Sequence, residues 1–259
     1  MKLENKILNL LQEEFPSAEN SKGFKPNDYY TFNGYNVPRV TKILDETINE
    51  GYLIRWSNTL GFKQLDYGKV LNEAADIGSK THNYIENYLQ GRDTPYLFND
   101  AVVNCTNSFK EWWSGLISLY DVEILGEEQK LTCPWYGGTY DLLLNVHGDK
   151  VLVDFKTSNK INFKYFLQLA AYRYLINLNL GFDINDFIIL RLSKNTVHYE
   201  DMCLDMTIAK DAEFMQYCSD TFFSLLNSYY QVNRVKYYFN QLHHDIISIH
   251  DVITFKQGI

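Results

Sequence analysis

No stretch of this 259-residue chain is apolar for long enough to cross a bilayer, so no membrane partner is expected. Its four cysteines, Cys105, Cys133, Cys203 and Cys218, form no C-x-x-C pair, which leaves neither a zinc ribbon nor a disulfide framework supported. An iron–sulfur cluster would need four converging thiolates; these spacings do not suggest one, no cluster is expected, and the cysteines read as free buried thiols. There is no internal repeat and no low-complexity linker. Positive charge is scarce: 24 Lys and Arg stand against 32 Asp and Glu, a formal net charge of -8. That balance argues against a surface that coats nucleic acid regardless of sequence. Met1 to Lys6, followed by Ile7, Leu8, Leu10 and Leu11, reads as the start of an amphipathic helix and not as a signal peptide, so a cytoplasmic location is expected.

With 46% hydrophobic and 22% charged residues, the chain is globular in composition and long enough to bury a sizeable core. It reads as one large α/β domain with helical additions, or as one domain plus a lobe. A short hairpin or extended arm is predicted between Tyr29 and Val40. Helices follow from Thr41 to about Leu60, from Leu65 to about Gln90 with a break at Gly78, and from Val102 to Tyr120. Strands dominate from Val122 to Lys156. A strong helix covers Phe163 to Leu178, strands cover Phe187 to Leu192 and Val197 to Leu204, and a long aromatic-rich helix runs from Ala209 to about Tyr238. A last strand is placed at Ile246 to Phe255. The order predicts a sheet with helices packed on it and a helical N-terminal portion.

The chemistry concentrates in the strand group. Val151, Val153 and Phe155 alternate with Leu152, Asp154 and Lys156, so Asp154 and Lys156 share one face of a strand. The run from Tyr140 to Val146 is equally strand-like, and His147-Gly148-Asp149 is a turn signal. A loop of two or four residues centred on His147-Gly148 sets Asp141 opposite Asp154; a three-residue loop shifts the register by one. Opposed residues have Cβ atoms about 5 Å apart. Two carboxylates at that separation repel unless a cation lies between them, and buried carboxylates are costly unless paired or metal-bound. The plain alternative is a hairpin with acidic residues at its solvent-facing ends.

Other residues are candidates to join them. His82, Ile85, Glu86 and Leu89 fall on one helical face, where a His and a Glu interrupt an apolar stripe; a histidine there also suits a hydrogen-bonded core residue. Gln168 and Tyr172, at i and i+4, are read either as a pair that positions a phosphate or orients Lys156, or as a polar seam on a packed helix. Glu127 and Glu128 precede the hairpin on a strand, where one of them faces the site or both form a solvated edge. Trp56, Trp112, Trp113 and Tyr84 are candidate stacking surfaces, though each is better suited to the core.

Taken in order, His82 with Glu86, Gly138-Thr139-Tyr140-Asp141, Asp154-Phe155-Lys156 and Gln168-x-x-x-Tyr172 resemble the PD-(D/E)XK nuclease superfamily in its RecB-like exonuclease branch. The segment Val37-Pro38-Arg39-Val40-Thr41-Lys42-Ile43-Leu44, with Trp56 after it, is similar to the start of phage exonucleases and of the mitochondrial genome maintenance exonuclease. The resemblance spans about Val37 to Tyr172. It lacks the cysteine cluster of the iron–sulfur members, and nothing after about residue 205 contributes to it.

The resemblance implies a restriction-endonuclease-like core within a single nuclease domain, 1–259: a mainly helical portion at 1–120, a catalytic α/β core at 121–205, and a C-terminal helix and tail at 206–259. It implies metal-dependent hydrolysis of phosphodiester bonds in DNA, at ends or in single strands, as in recombination, replication or repair. His82, Asp141, Asp154 and the backbone carbonyl of Phe155 would hold Mg²⁺ or Mn²⁺, one ion or two. Lys156 would orient the attacking water, and Gln168 and Tyr172 would position the phosphate or the lysine. Glu86 and Glu128 are possible substrate-positioning or supporting residues. A bacterial or phage-infected cell is the expected setting. The competing expectations are an endonuclease of the same chemistry and a non-catalytic module that binds DNA or protein.

Overall fold

The computed structural model describes residues 28–48, 51–95 and 97–244. Hairpin strands β1 (Tyr29–Phe32) and β2 (Tyr35–Pro38) lead into four helices: α1 (Val40–Thr47), α2 (Gly51–Phe62), α3 (Tyr67–Leu89) and α4 (Asp100–Leu119). Strands β3 (Val122–Thr132), β4 (Gly137–Val146) and β5 (Asp149–Lys156) come next. They are followed by α5 (Phe163–Leu180), β6 (Asp186–Leu192), β7 (Tyr199–Asp205) and α6 (Ala209–His244). The five long strands form one sheet in the order β3-β4-β5-β6-β7, with β5 and β6 parallel and every other neighbouring pair antiparallel. The protein is therefore α/β, a mixed sheet flanked by helices, as the element order predicts.

Each face of the sheet has its own core. Leu143, Leu152, Phe187 and Ile189 pack with Leu169 and Ile176 of α5, Phe222 of α6 and Ile43 of α1. On the other face Leu142, Leu144, Val153 and Leu190 pack with Phe109 and Trp112 of α4 and Ile85 of α3. Each such fully buried side chain is worth about 1.5–3 kcal/mol. Local signals fix where the helices begin. Asp66, Asn99 and Asn162 cap α3, α4 and α5, their side chains accepting from the amides of Lys69, of Ala101 and Val102, and of Lys164.

Several sequence-predicted boundaries move. The single helix expected from Thr41 to Leu60 is two helices, because Ile48 leaves the helical conformation at φ -106°, ψ 106°. Gly78 does not interrupt α3: the Asp66 cap and a buried stripe of Ile77, Thr81 and Ile85 hold the helix through it, which outweighs a glycine cost of about 1 kcal/mol. The last helix continues to His244. The amphipathic helix expected near Ile7 and the strand expected at Ile246 to Phe255 lie outside the described residues. Among the described residues, no helix is long and apolar enough to cross a membrane.

Candidate metal centre

The β4–β5 turn decides the geometry of the site. His147 (φ 53°) and Gly148 (φ 105°) form a two-residue loop with both φ values positive, the backbone of a type I′ hairpin turn. The register runs Val146 with Asp149 through Leu142 with Val153. The ladder ends at that pair, and Asp141, next along β4, meets His82 of α3. Asp141 is additionally tied across the hairpin, its Oδ2 accepting from the amide of Phe155 at 2.6 Å.

Around Asp141 three ligand types converge. His82 Nδ1 lies 3.0 Å from Glu128 Oε1 and 3.5 Å from Asp141 Oδ1. One donor atom each from His82, Glu128 and Asp141 all fall within 4.8 Å of one another, close enough to share a metal ion. The imidazole comes from α3, its ring edge-on to Phe155 at 5.9 Å between centroids. Glu128 comes from β3, where a register shift between Ile124 and Gly126 marks a bulge. Its own φ is 44°, a left-handed conformation that costs a non-glycine residue about 1–3 kcal/mol.

Asp154 and Lys156 form the second half of the site. Asp154 is 1% exposed, and Lys156 Nζ lies 2.6 Å from its Oδ2. Despite that ion pair, neither oxygen of Asp154 receives a well-directed hydrogen bond. The ammonium also sits over the ring of Tyr165, 4.9 Å from its centroid. Buried acceptors left without directed donors, next to three converging N and O ligands, are a donor set that fits a hard divalent cation.

Charge in the site is strongly coupled. Burial alone would lower the pKa of His82, but Asp141 and then Glu128 hold the imidazolium and lift it to about 9. Burial pushes Asp154 up to about 6; Lys156 opposes the rise and Asp141 adds to it. Burial likewise raises Asp141, against the pull of His82 and Lys156. Lys156 stays an ammonium: burial works to lower its pKa, and Asp154 and Asp141 more than compensate.

The remaining expected residues have definite places. Gln168 and Tyr172 are both buried, and Gln168 Nε2 donates to the Tyr172 hydroxyl at 2.7 Å. Gly138 is what lets Tyr172 in: a Cβ there would collide with the ring. Glu86 is at the cavity wall and pairs with Arg92 at 3.0 Å. The expected stacking residues are elsewhere. Trp112 is in the α4 core, Trp113 stacks near Phe109, Trp56 meets Tyr67, and Tyr84 is buried under Lys110. The cysteines are not all buried, as Cys203 is exposed.

A cavity of about 630 Å³ joins these groups. Its wall includes residues to which sequence reasoning assigned no role: Tyr30, Ser79 and Lys130, and Arg39, Thr41 and Thr139 from the quoted motifs. Most gave no periodic signal, since they approach from a hairpin, a helix start and an edge strand. Tyr165, which lies under Lys156 and is not part of that wall, did give one: with Gln168 and Tyr172 it falls at i, i+3 and i+7 on α5, one helical face.

No family model matches the chain, and no curated protein matches it. Among solved structures, one similar chain is described as the crystal structure of SSO0001. It is 13% identical, with 87% of each chain covered and a TM-score of 0.33, a likeness too loose to carry an argument.

Proposed function

We propose that this protein is a metal-dependent deoxyribonuclease of the PD-(D/E)XK kind, an exonuclease acting on DNA ends or single strands. The observation that carries the reading is the convergence of His82, Glu128 and Asp141 on one point beside the buried Asp154–Lys156 pair. Oxygen-rich ligation suits Mg²⁺ and Mn²⁺, and the imidazole tilts the choice toward Mn²⁺. Such an ion, when bound, polarises a phosphoryl oxygen and makes a bound water acidic. Asp154 would complete the ligand set as Lys156 turns toward substrate.

The chain's own residues supply the rest. Lys156, kept as an ammonium, donates and does not abstract: it orients water and offsets negative charge that develops on the phosphoryl oxygens. Arg39 and Lys130 line the same cavity and give local attraction for a phosphodiester backbone in a chain whose overall charge is negative. Gln168 and Tyr172 hold the α5 side of the cavity in one arrangement. The β1–β2 hairpin walls another side through Tyr30, which suits a strand end better than a duplex running through.

Cleavage of linear and circular, single- and double-stranded DNA, labelled at either end, tests this with Mg²⁺, Mn²⁺ or EDTA. Metal-dependent loss of linear but not circular DNA, abolished by Asp154→Ala and Lys156→Ala, is expected. Cut circles would make the protein an endonuclease of the same chemistry. No cleavage under any condition would leave a binding module.

A further inference from the structure

We propose that Tyr30 is the stacking residue of this site, holding the base of a nucleotide whose phosphate lies at Asp141. The inference rests on the nuclease reading and names how the substrate strand is gripped.

Nucleic-acid channels that ignore sequence rely on aromatic rings, because every base has a π-face. None of the four tryptophans lines the cavity around Asp141, and the tyrosine buried on α3 does not either. Beside the His82 imidazole, which faces Asp141 and Glu128, two aromatic rings do, Tyr30 and Tyr172. Tyr172 is buried, bonded to Gln168 and wedged against Gly138, so it is committed to the protein. Tyr30 is half-buried and stands on β1, outside the sheet.

The placement of Tyr30 is specific. Its ring lies against Gly137, where even a Cβ would come within 2.7 Å of it. Its hydroxyl is 2.8 Å from Thr139 Oγ1. Gly137, Thr139 and Asp141 alternate along β4 and so share a face. The point where Tyr30 is anchored is therefore two residues, roughly 7 Å, from the metal-binding carboxylate. That is the kind of span that separates a phosphate from a base attached through its sugar. The Gly137 backbone and the Thr139 bond hold the half-buried ring in place, so the aromatic surface is pre-positioned and little ordering is needed on binding.

The test uses single-stranded DNA carrying one abasic residue, moved position by position through the region of cleavage. Wild type and Tyr30→Phe should both lose roughly ten- to hundredfold in kcat/KM when the abasic residue reaches one particular position. Tyr30→Ala should be slower on intact DNA by a similar factor and indifferent to the abasic residue anywhere. A Tyr30→Ala variant that is slow yet still sensitive to base removal would overturn the inference and make Tyr30 a brace for the hairpin. Wild type cleaving abasic and intact strands alike would also overturn it, leaving the nuclease reading in place. If the wild type cleaves no DNA at all, the nuclease reading fails first and the inference with it. Tyr30→Leu replaces Tyr30→Ala should the latter not fold, with the same two outcomes.

Discussion

His82, Glu128 and Asp141 reach their meeting point from a helix, an edge strand and a central strand, while Asp154 and Lys156 are neighbours on one face of β5. The first group carries two carboxylates against one imidazole. It binds a proton as a substitute for the missing positive charge, which is why His82 is pushed to about 9. The second group carries its own counter-ion, a buried carboxylate paired with a lysine that reaches the cavity. One half of the site is thus built to receive a cation, and the other already contains one. The two halves should respond differently to mutation, to metal and to pH.

The largest effect belongs to the self-contained half. Asp154→Asn and Lys156→Ala should each lower kcat by about a thousandfold or more under saturating Mn²⁺, the first because it weakens a group that would complete the metal's ligand set, the second because it removes the cation that offsets developing negative charge. Lys156→Ala should in addition destabilise the fold by about 3–5 kcal/mol, because it leaves a buried carboxylate without its partner. Cleavage rates and thermal melts, measured on both variants, check this. Full activity in Lys156→Ala would erase the distinction between the halves.

Glu128→Gln probes the open half. It should weaken Mn²⁺ binding by about 10- to 100-fold, the range seen for residues that support metal sites, and calorimetric titration reads it directly. Asp154→Asn should weaken the same titration less. If the order reverses, Asp154 and not Glu128 is the stronger ligand.

The closed half and two ligands of the open half, His82 and Asp141, were legible in the sequence. Period-two alternation and a His-Gly turn set Asp141 against Asp154 with Lys156 beside them, all within one hairpin, so local geometry suffices. His82 was found as a polar break in a helical stripe. Glu128 could only be weighed evenly against a solvated edge, because a bulge and a left-handed φ re-aim it, and neither has a pattern in the residues around it. Tyr30 was missed, and Arg39 left without a role, for a related reason: their contacts join segments about a hundred residues apart. Trp112 and Trp113 pack in and against the α4 core, the place that the sequence favoured for them over a stacking surface.

The pH dependence separates the halves again. His82 has a folded pKa of about 9 against an ordinary 6.5, raised, so its contribution to stability is fully present below pH 6.5 and is lost as pH rises through about 9. A metal ion displaces that proton, so apparent Mn²⁺ affinity should climb by about tenfold per pH unit between roughly 7 and 8.5. In His82→Ala the slope should flatten. A wild-type affinity that does not change over this interval would mean that the imidazole is not a ligand.

The smallest expected effect tests whether the α5 side of the cavity is independent of the metal. A methyl at Gly138 must displace the Tyr172 ring, which is buried and hydrogen-bonded to Gln168. Overpacking of this kind costs about 1–3 kcal/mol, which for a chain of this size lowers Tm by roughly 2–4 °C per kcal/mol. Tyr172 touches none of the three converging ligands through a hydrogen bond, so Gly138→Ala should leave Mn²⁺ affinity within about twofold while it lowers Tm and slows cleavage. Gly148→Ala offers the control, since it strains the positive-φ turn at the far end of the same strands without meeting Tyr172. If Gly138→Ala weakens the metal as much as Glu128→Gln does, the packing beneath the site and the ligands above it form one unit, and the two halves are not separable.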